Sequence, residues 1–248
     1  MSSPKDPRGA LGSLKVAAGF AGLTMGYSVA ALPAILADPD RGAPRVARRW
    51  AARCLALAGV EVELEGAEGL GPGPYVVMAN HTSHFDVVAL YGHLPLPVRF
   101  VAKKELAYIP IFGWALALGA AIIIDRKDRD SAKRSLEQAG EAVRGGASVM
   151  LFPEGTRTPP GLLGELKKGP FHLALAARVP VLPVGIEGSG AVLAKGDWHI
   201  RPGKIRIRVG KPIPTDVYPA DAEGRRALME EVGRALAGLA ALAPAPGG

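Results

Sequence analysis

The stretch NHTSHFD, residues 80–86, sets two histidines and an aspartate directly behind the apolar run PYVVMA. An imidazole whose ordinary pKa lies close to neutrality can take and return a proton at physiological pH. A carboxylate on one ring nitrogen fixes the tautomer, leaves the other nitrogen free as a base, and stabilises the imidazolium that forms. His81 and Asp86 have a spacing that permits this pairing. If the chain turns at Thr82 and Ser83 and a helix starts near His84, Asp86 falls in the first helical turn and can reach back to the His81 ring. The hydroxyl that would lose its proton belongs either to a protein serine or to a substrate. Two other readings use the same residues. Ser83 can cap the helix while Asp86 favours its N-terminus electrostatically. Alternatively, His81, His84 and Asp86 can hold a metal, although no cysteine or obvious further ligand accompanies them.

A second stretch, VMLFPEGTRTPPG (149–161), ends an apolar run in Pro-Glu-Gly-Thr-Arg. Gly155 permits a tight turn whose N–H groups can face an anion. Thr156 adds a hydroxyl and Arg157 a bidentate guanidinium, a combination suited to phosphate, or else simply a surface turn. Lys103 and Arg126 follow two further apolar runs and can add charge to the same site. Between them, residues 105–119 are apolar with Tyr108, Phe112 and Trp114. They can line an acyl channel, lie against a membrane, or form core.

The elements that must position these residues are α/β in pattern. The runs 60–66, 74–80, 98–102, 120–125, 147–152, 179–188 and 204–210 read as strands. Helices are expected at about 84–92, 128–146, 167–178 and 221–242. The first of the strands alternates apolar with acidic residues, and the second is continuously apolar, as a buried strand would be. Strands alternating with helices argue for a mostly parallel or mixed sheet flanked by helices. His81 then lies at the carboxyl end of a strand, the edge where open α/β sheets bind ligands.

The N-terminal region differs. Residues 16–37 carry no charge, and as a helix they would be roughly 33 Å long, enough to cross a hydrocarbon core of about 30 Å. They can span, bend into one leaflet at Pro33, or act as a cleaved signal peptide. Residues 41–59 follow, with Val46, Trp50, Cys54 and Leu57 on one helical face and Arg45, Arg48, Arg49 and Arg53 beside or opposite it. This is a basic amphipathic helix of the kind that lies among lipid headgroups. Its arginines put that side in the cytoplasm, so the expected location is the cytoplasmic membrane with the site facing the cytosol. Three regions are expected: an anchor with its amphipathic helix (1–58), an α/β domain (59–242) and an unstructured tail (243–248).

Composition narrows the classes further. The 248 residues carry a net charge of +7, a single cysteine and only 6% aromatics. The charge suggests an anionic partner, but no basic-aromatic interleaving of the kind that stacks nucleic-acid bases is present. No zinc-binding C-x-x-C or H-E-x-x-H, Walker A, strand-linked G-x-G-x-x-G or G-x-S-x-G pattern occurs.

Four stretches in order give the chain a resemblance to the glycerolipid acyltransferase family, most closely to its 1-acylglycerol-3-phosphate acyltransferases. They are NHTSHFD (80–86), AKKEL with IIIDR (102–106 and 122–126), FPEGTR (152–157) and VPVLPV (179–184). The match covers about residues 60–210, and the apolar N-terminus with its Arg/Trp helix is also similar to the family. The resemblance implies transfer of an acyl group from acyl-CoA or acyl carrier protein to the free hydroxyl of a lysophospholipid, most closely 1-acylglycerol-3-phosphate, giving phosphatidic acid. His81 would be the general base and Asp86 its orienting partner, with no acyl-enzyme, cofactor or metal and with the thioester as co-substrate. Glu154, Gly155, Thr156 and Arg157 would form the phosphate end of the acceptor site, supported by Lys103 and Arg126, while Asn80 and Ser83 hold the turn. Glu154 would brace Arg157 or Lys103, or contact a glycerol hydroxyl. The family often has a Ser and a polar turn after FPEGTR. Here TPPGLLGELKKG follows, a stiffer loop that bears on acceptor choice. Other readings are an acyltransferase for another lysolipid or an ornithine lipid, a non-catalytic lipid-binding protein, and a phosphate-ester hydrolase using His81 and His84.

Overall fold

In a computed structural model, which describes residues 9–38, 41–125 and 128–244, the chain forms a seven-stranded sheet with helices on both faces. Its strands are β1 (Val60–Glu65), β2 (Val76–Ala79), β3 (Val98–Lys103), β4 (Ala121–Ile124), β5 (Ser148–Leu151), β7 (Val181–Glu187) and β8 (Gly203–Val209), in the order β1-β8-β7-β2-β5-β3-β4. Strands β7, β2, β5, β3 and β4 run parallel, whereas β8 is antiparallel to β7 and β1 is parallel to β8. A two-stranded pair, β6 (Leu162–Leu163) with β9 (Ala243–Pro244), ties the loop after FPEGTR to the end of the described chain. The tail expected to be unstructured from 243 therefore starts with two paired residues, and 245–248 lie outside the described residues.

Central β2 is fully buried, as its unbroken apolar sequence requires. Its side chains alternate between two cores. Val77 and Ala79 join the one with Phe85 and Leu90, beneath α2 (Gly42–Ala58) and α3 (Phe85–His93). Val76 and Met78 join the one with Val143, Phe171, Leu228 and Val232, beneath α5 (Arg129–Arg144), α6 (Lys168–Ala177) and α8 (Ala222–Leu239). At the outer edge Glu63 and Glu65 of β1 register against Arg206 and Arg208 of β8, so the polar halves of two alternating strands neutralise each other. The start of α8 is set by Asp221, whose carboxylate accepts the N–H groups of Glu223 and Gly224 at 2.9 Å each.

The apolar N-terminus is one long helix, α1 (Gly9–Ala37), followed by α2. By length and composition α1 is able to cross a membrane. It starts seven residues before the uncharged run, because Gly9–Lys15 continue the same helical backbone. The expected apolar face of α2 packs inward through Val46, Trp50 and Cys54, but the buried surface is wider than that face. Ala51, Cys54, Leu55 and Ala58 are buried, whereas Leu57 is exposed to 38%. The cause is that α2 is wedged between α1 and α3, so it buries two faces. Trp50 donates its indole N–H to Thr24 of α1 at 3.1 Å, and a Cβ on Gly19 would come within 2.8 Å of Leu57. The arginines at 45, 48, 49 and 53 are all exposed, as expected.

The apolar stretch between β3 and β4 is neither strand nor long helix. It folds as a 3-10 turn (Lys104–Tyr108), the short α4 (Phe112–Ala115) and a π turn (Leu116–Ala120). The segment doubles back so tightly that a Cβ on Gly113 would come within 2.0 Å of the Ala107 carbonyl oxygen. The last short helix, α7 (Ser189–Val192), follows β7.

Candidate active site

The carboxyl end of β2 delivers Asn80 and His81 to the middle of the sheet edge. The Asn80 amide is buried and clamps β7 by donating to the Ile186 carbonyl at 2.9 Å and accepting the Ile186 N–H at 2.7 Å. This pair of hydrogen bonds pins the strand end to β7. Ser83 is likewise buried. Its hydroxyl donates to the Leu193 carbonyl at 2.8 Å and accepts the Phe85 N–H at 3.1 Å, setting the entry to α3.

His81 Nδ1 stands 2.8 Å from Asp86 Oδ2. The same oxygen accepts the N–H groups of Thr82 at 2.8 Å and Ser83 at 2.9 Å. Asp86 is completely buried, and its Oδ1 has no hydrogen-bond partner among the described residues. The two backbone N–H groups fix the position of this oxygen, and facing Nδ1 it selects the ring tautomer that carries its proton there. The His81 ring is stacked on Phe152, with centroids 3.9 Å apart and planes 12° from parallel. Its rotation is therefore fixed from two sides.

Glu154 does something other than expected. It is buried, and both its oxygens are taken by protein groups. Oε1 accepts the His81 N–H at 2.7 Å. Oε2 accepts the Gly164 N–H at 2.7 Å and the Thr158 hydroxyl. Thr158 N–H in turn donates to the His81 carbonyl at 2.8 Å. Glu154 thus ties the FPEGTR loop to the backbone of the histidine motif instead of bracing a cation or meeting a ligand. Gly155 has φ +71°, the left-handed conformation its type suits, and this turn leads the chain out to Thr156 and Arg157.

His81 lines a cavity of about 310 Å³. Its polar end also carries His84, Lys103, Thr156, Arg157 and Lys195. Most of the remaining lining is apolar, including Ala31 of α1, Val46 of α2, Phe100, and Leu106, Phe112 and Leu116 of the doubled-back segment, with Thr24 and Ser28 of α1 among it. Among the described residues Lys103, Arg157 and Lys195 form no ion pair with a carboxylate, so the polar end is a cationic corner. Lys195 Nζ donates to the Arg157 carbonyl at 2.9 Å, tethering the loop that carries Arg157. Crowding by protein atoms, then the charges of Arg157 and His81, lower the His84 pKa to about 4, although its ring keeps solvent contact. Arg126 lies outside the described residues. Among those described, no group of three or more His, Cys, Asp or Glu could hold a metal ion.

The structure therefore brings His81, Lys103, Thr156 and Arg157 to one cavity, with Asp86 buried against His81, and uses Asn80, Ser83, Gly155 and Glu154 as its frame. Lys195 belongs with them and has no motif of its own.

A family model described as Acyltransferase matches residues 61–187, just over half of the chain. The chain belongs to the acyltransferase family. It is 38% identical over 175 residues to a 1-acyl-sn-glycerol-3-phosphate acyltransferase of Pseudomonas aeruginosa, an alignment that covers 70% of this chain and 65% of that protein. It is 32% identical over 191 residues to the protein of the same name from Saccharomyces cerevisiae, covering 74% of this chain and 63% of that protein. The chain thus spans slightly less than two thirds of these curated relatives. The crystal structure of the 1-acyl-sn-glycerophosphate acyltransferase PlsC from Thermotoga maritima shares the fold with a TM-score of 0.76 and 26% identity, covering 92% of this chain and 95% of that one. The matched acyltransferase region contains both NHTSHFD and FPEGTR but ends before Lys195.

Proposed function

We propose that this acyltransferase moves a fatty acyl group from a thioester, acyl-CoA or acyl carrier protein, to the free hydroxyl of 1-acylglycerol-3-phosphate, giving phosphatidic acid. The observation that carries the reading is the His81–Asp86 pair standing where an apolar cavity meets a cationic corner. The acceptor has the matching division, with an acyl chain at one end, a phosphate at the other and the reacting hydroxyl between. The names of the relatives from Pseudomonas aeruginosa and Saccharomyces cerevisiae, both 1-acyl-sn-glycerol-3-phosphate acyltransferases, support the same acceptor.

In this mechanism Arg157, Lys103 and Lys195 hold the phosphate by charge-assisted hydrogen bonds. His81 Nε2 takes the proton of the acceptor hydroxyl as its oxygen attacks the thioester carbonyl carbon. The C–S bond of the tetrahedral intermediate then breaks, and the departing sulfur takes the proton back from His81. Asp86 keeps Nδ1 protonated and stabilises the imidazolium between the two transfers. The acyl chain lies along Phe100, Leu106, Phe112 and Leu116. No cofactor is needed beyond the thioester. Helix α1 enters the membrane and the exposed arginines of α2 face anionic headgroups on its cytoplasmic side.

The test uses the full chain in detergent with lysophosphatidic acid and, in separate reactions, acyl-CoA and acyl carrier protein thioesters. Thiol release and phosphatidic acid are followed. Formation of phosphatidic acid by the wild type, absent in His81→Ala, is the expected result. A wild type that acylates only other lysolipids overturns the acceptor, and full activity in His81→Ala overturns the mechanism.

A further inference from the structure

Residues 104–120 have two apolar sides. Leu106, Phe112, Ala115 and Leu116 face the cavity. Tyr108, Ile109, Trp114 and Leu118 face outward, with exposures of 70, 41, 61 and 49%. No charged residue occurs from Leu106 to Ile124. A surface element of a water-bathed protein carries polar residues on its outer side. Here the outer side carries a Trp, a Tyr and two branched aliphatic residues.

This outer face is not isolated. The segment packs directly on α1, whose own exposed side shows Leu11, Leu14, Val29 and Leu36, and on the end of α2. Of the large exposed apolar side chains among the described residues, all but Trp198 and Val217 belong to α1, α2 or this segment. The exposed apolar surface is therefore gathered on one set of touching elements instead of scattered as ordinary surface residues are. Its edge is basic: Lys103 and Lys104, both exposed, begin the segment. Lys104 is held by Asp125 across the segment's base at 3.0 Å, which closes the loop at its charged end. Amphipathic aromatic rings bordered by cations are the composition of the headgroup level of a bilayer. The backbone is also built to present this face. Ile111, a β-branched residue, is held at φ +66°, and Gly113 lets α4 fold back onto Ala107.

We propose that the outer face of residues 108–118 is a second membrane-contacting surface, seated in the headgroup region beside α1 and formed by Tyr108, Ile109, Trp114 and Leu118. The occupant is the lipid bilayer, because the face continues the surface of the one described helix apolar and long enough to enter it. The membrane is then met by an element that also walls the cavity. The proposal deepens the membrane partner of the function proposed above, but its test does not depend on catalysis.

The protein is reconstituted in vesicles of phosphatidylcholine and phosphatidylglycerol brominated either near the glycerol backbone or deep in the acyl chains. Flotation confirms that the protein is bound. Three tryptophans are present, Trp50, Trp114 and Trp198, so Trp114 is observed alone in a Trp50→Phe/Trp198→Phe variant. As a check on that variant, Trp114→Phe in the otherwise native chain shows what Trp114 contributes. We expect strong quenching of Trp114 by the shallow bromines and weaker quenching by the deep ones. The native chain should lose that component in Trp114→Phe. Trp114 unquenched in vesicle-bound protein overturns the proposal, as does Trp114 protected by a dimer whose cross-links pass through residues 108–118. Because the readout is fluorescence, an inactive protein with a quenched Trp114 would sink the proposed function and leave this surface standing.

Discussion

The molecule contains two His–Asp pairs of nearly equal geometry, and they are built for different ends. His81 meets Asp86 at 2.8 Å, and His199 meets Asp197 at 2.7 Å. The first carboxylate is wholly buried, and besides His81 its Oδ2 receives two backbone N–H groups while its Oδ1 has no partner among the described residues. The second sits on the loop between α7 and β8. It also accepts the N–H groups of Trp198 and His199 and pairs with Arg201 at 2.8 Å. Those backbone N–H groups, with His199 and Arg201, hold the Asp197 carboxyl well below its ordinary pKa. His81 lines the cavity and is locked by Phe152, whereas His199 lies outside it beside the exposed Trp198. A short contact between imidazole and carboxylate therefore does not make a base. The first pair has an uncompensated carboxylate and a cavity in front of the ring. The second has an arginine that absorbs the charge, and it serves to shape a loop.

Substitutions can break or sharpen this contrast. The largest effect is expected for His81→Ala, which should lower kcat by about 10²- to 10⁴-fold, the range supplied by a positioned base. His199→Ala should leave kcat unchanged in the same assay, and an equal loss in both variants would abolish the distinction. Asp86→Asn should cost up to about 10⁴-fold in kcat by deleting the charge that stabilises the imidazolium. Asp197→Asn should instead lower the thermal midpoint with kcat intact. Arg157→Gln, at the cationic corner, should raise KM for a phosphate-bearing acceptor by about 10- to 100-fold, the value of a charge-assisted hydrogen bond, with a smaller change in kcat. An unchanged KM would remove Arg157 from the acceptor site.

Glu154→Gln should act through the frame. An amide NH₂ facing the N–H of Gly164 or His81 loses an acceptor in a buried place, at a cost of about 1–3 kcal/mol of stability measured by denaturant or thermal unfolding. The smallest effect concerns His84, whose pKa is held down to about 4 in the folded chain. The unfolded chain then binds the proton first as pH falls through about 6.5. Stability should be full above that value and decline toward pH 4, and His84→Gln should flatten the decline. A decline of equal slope in the variant would assign it to other groups.

Much of this was legible in the sequence because it is local. Continuous apolar runs marked β2, β5 and β7, and five-residue spacing permitted the pairing of His81 with Asp86 beside a helix cap and a metal site. What was not legible depends on distant parts of the chain. Glu154 looked like a residue of the anion site because it neighbours Thr156 and Arg157. Its partners are His81, Thr158 and Gly164, drawn from two other turns, and no spacing rule connects them. Lys195 was invisible because its loop carries no pattern and reaches the cavity only through the β7–α7–β8 excursion. The reversal of β8 and β1 relative to the other strands was likewise hidden, since alternation marks a strand but not its neighbour or direction. The buried surface of α2 was read incompletely for a related reason. A helical wheel assumes one buried side, and α2 has two.

Asp86 Oδ1, buried with nothing bound to it, has a consequence for how the charge of this site can be studied. Oδ2 alone receives His81, Thr82 and Ser83, so an asparagine can give its carbonyl oxygen to all three and turn its NH₂ into the position Oδ1 now occupies. The steering of the imidazole and the folding of the turn would both survive, at the expense of one buried amide without an acceptor. Such a side chain keeps the dipole and deletes the net charge. The field that the carboxylate lends to an imidazolium is thus physically separable here from the alignment that comes with it.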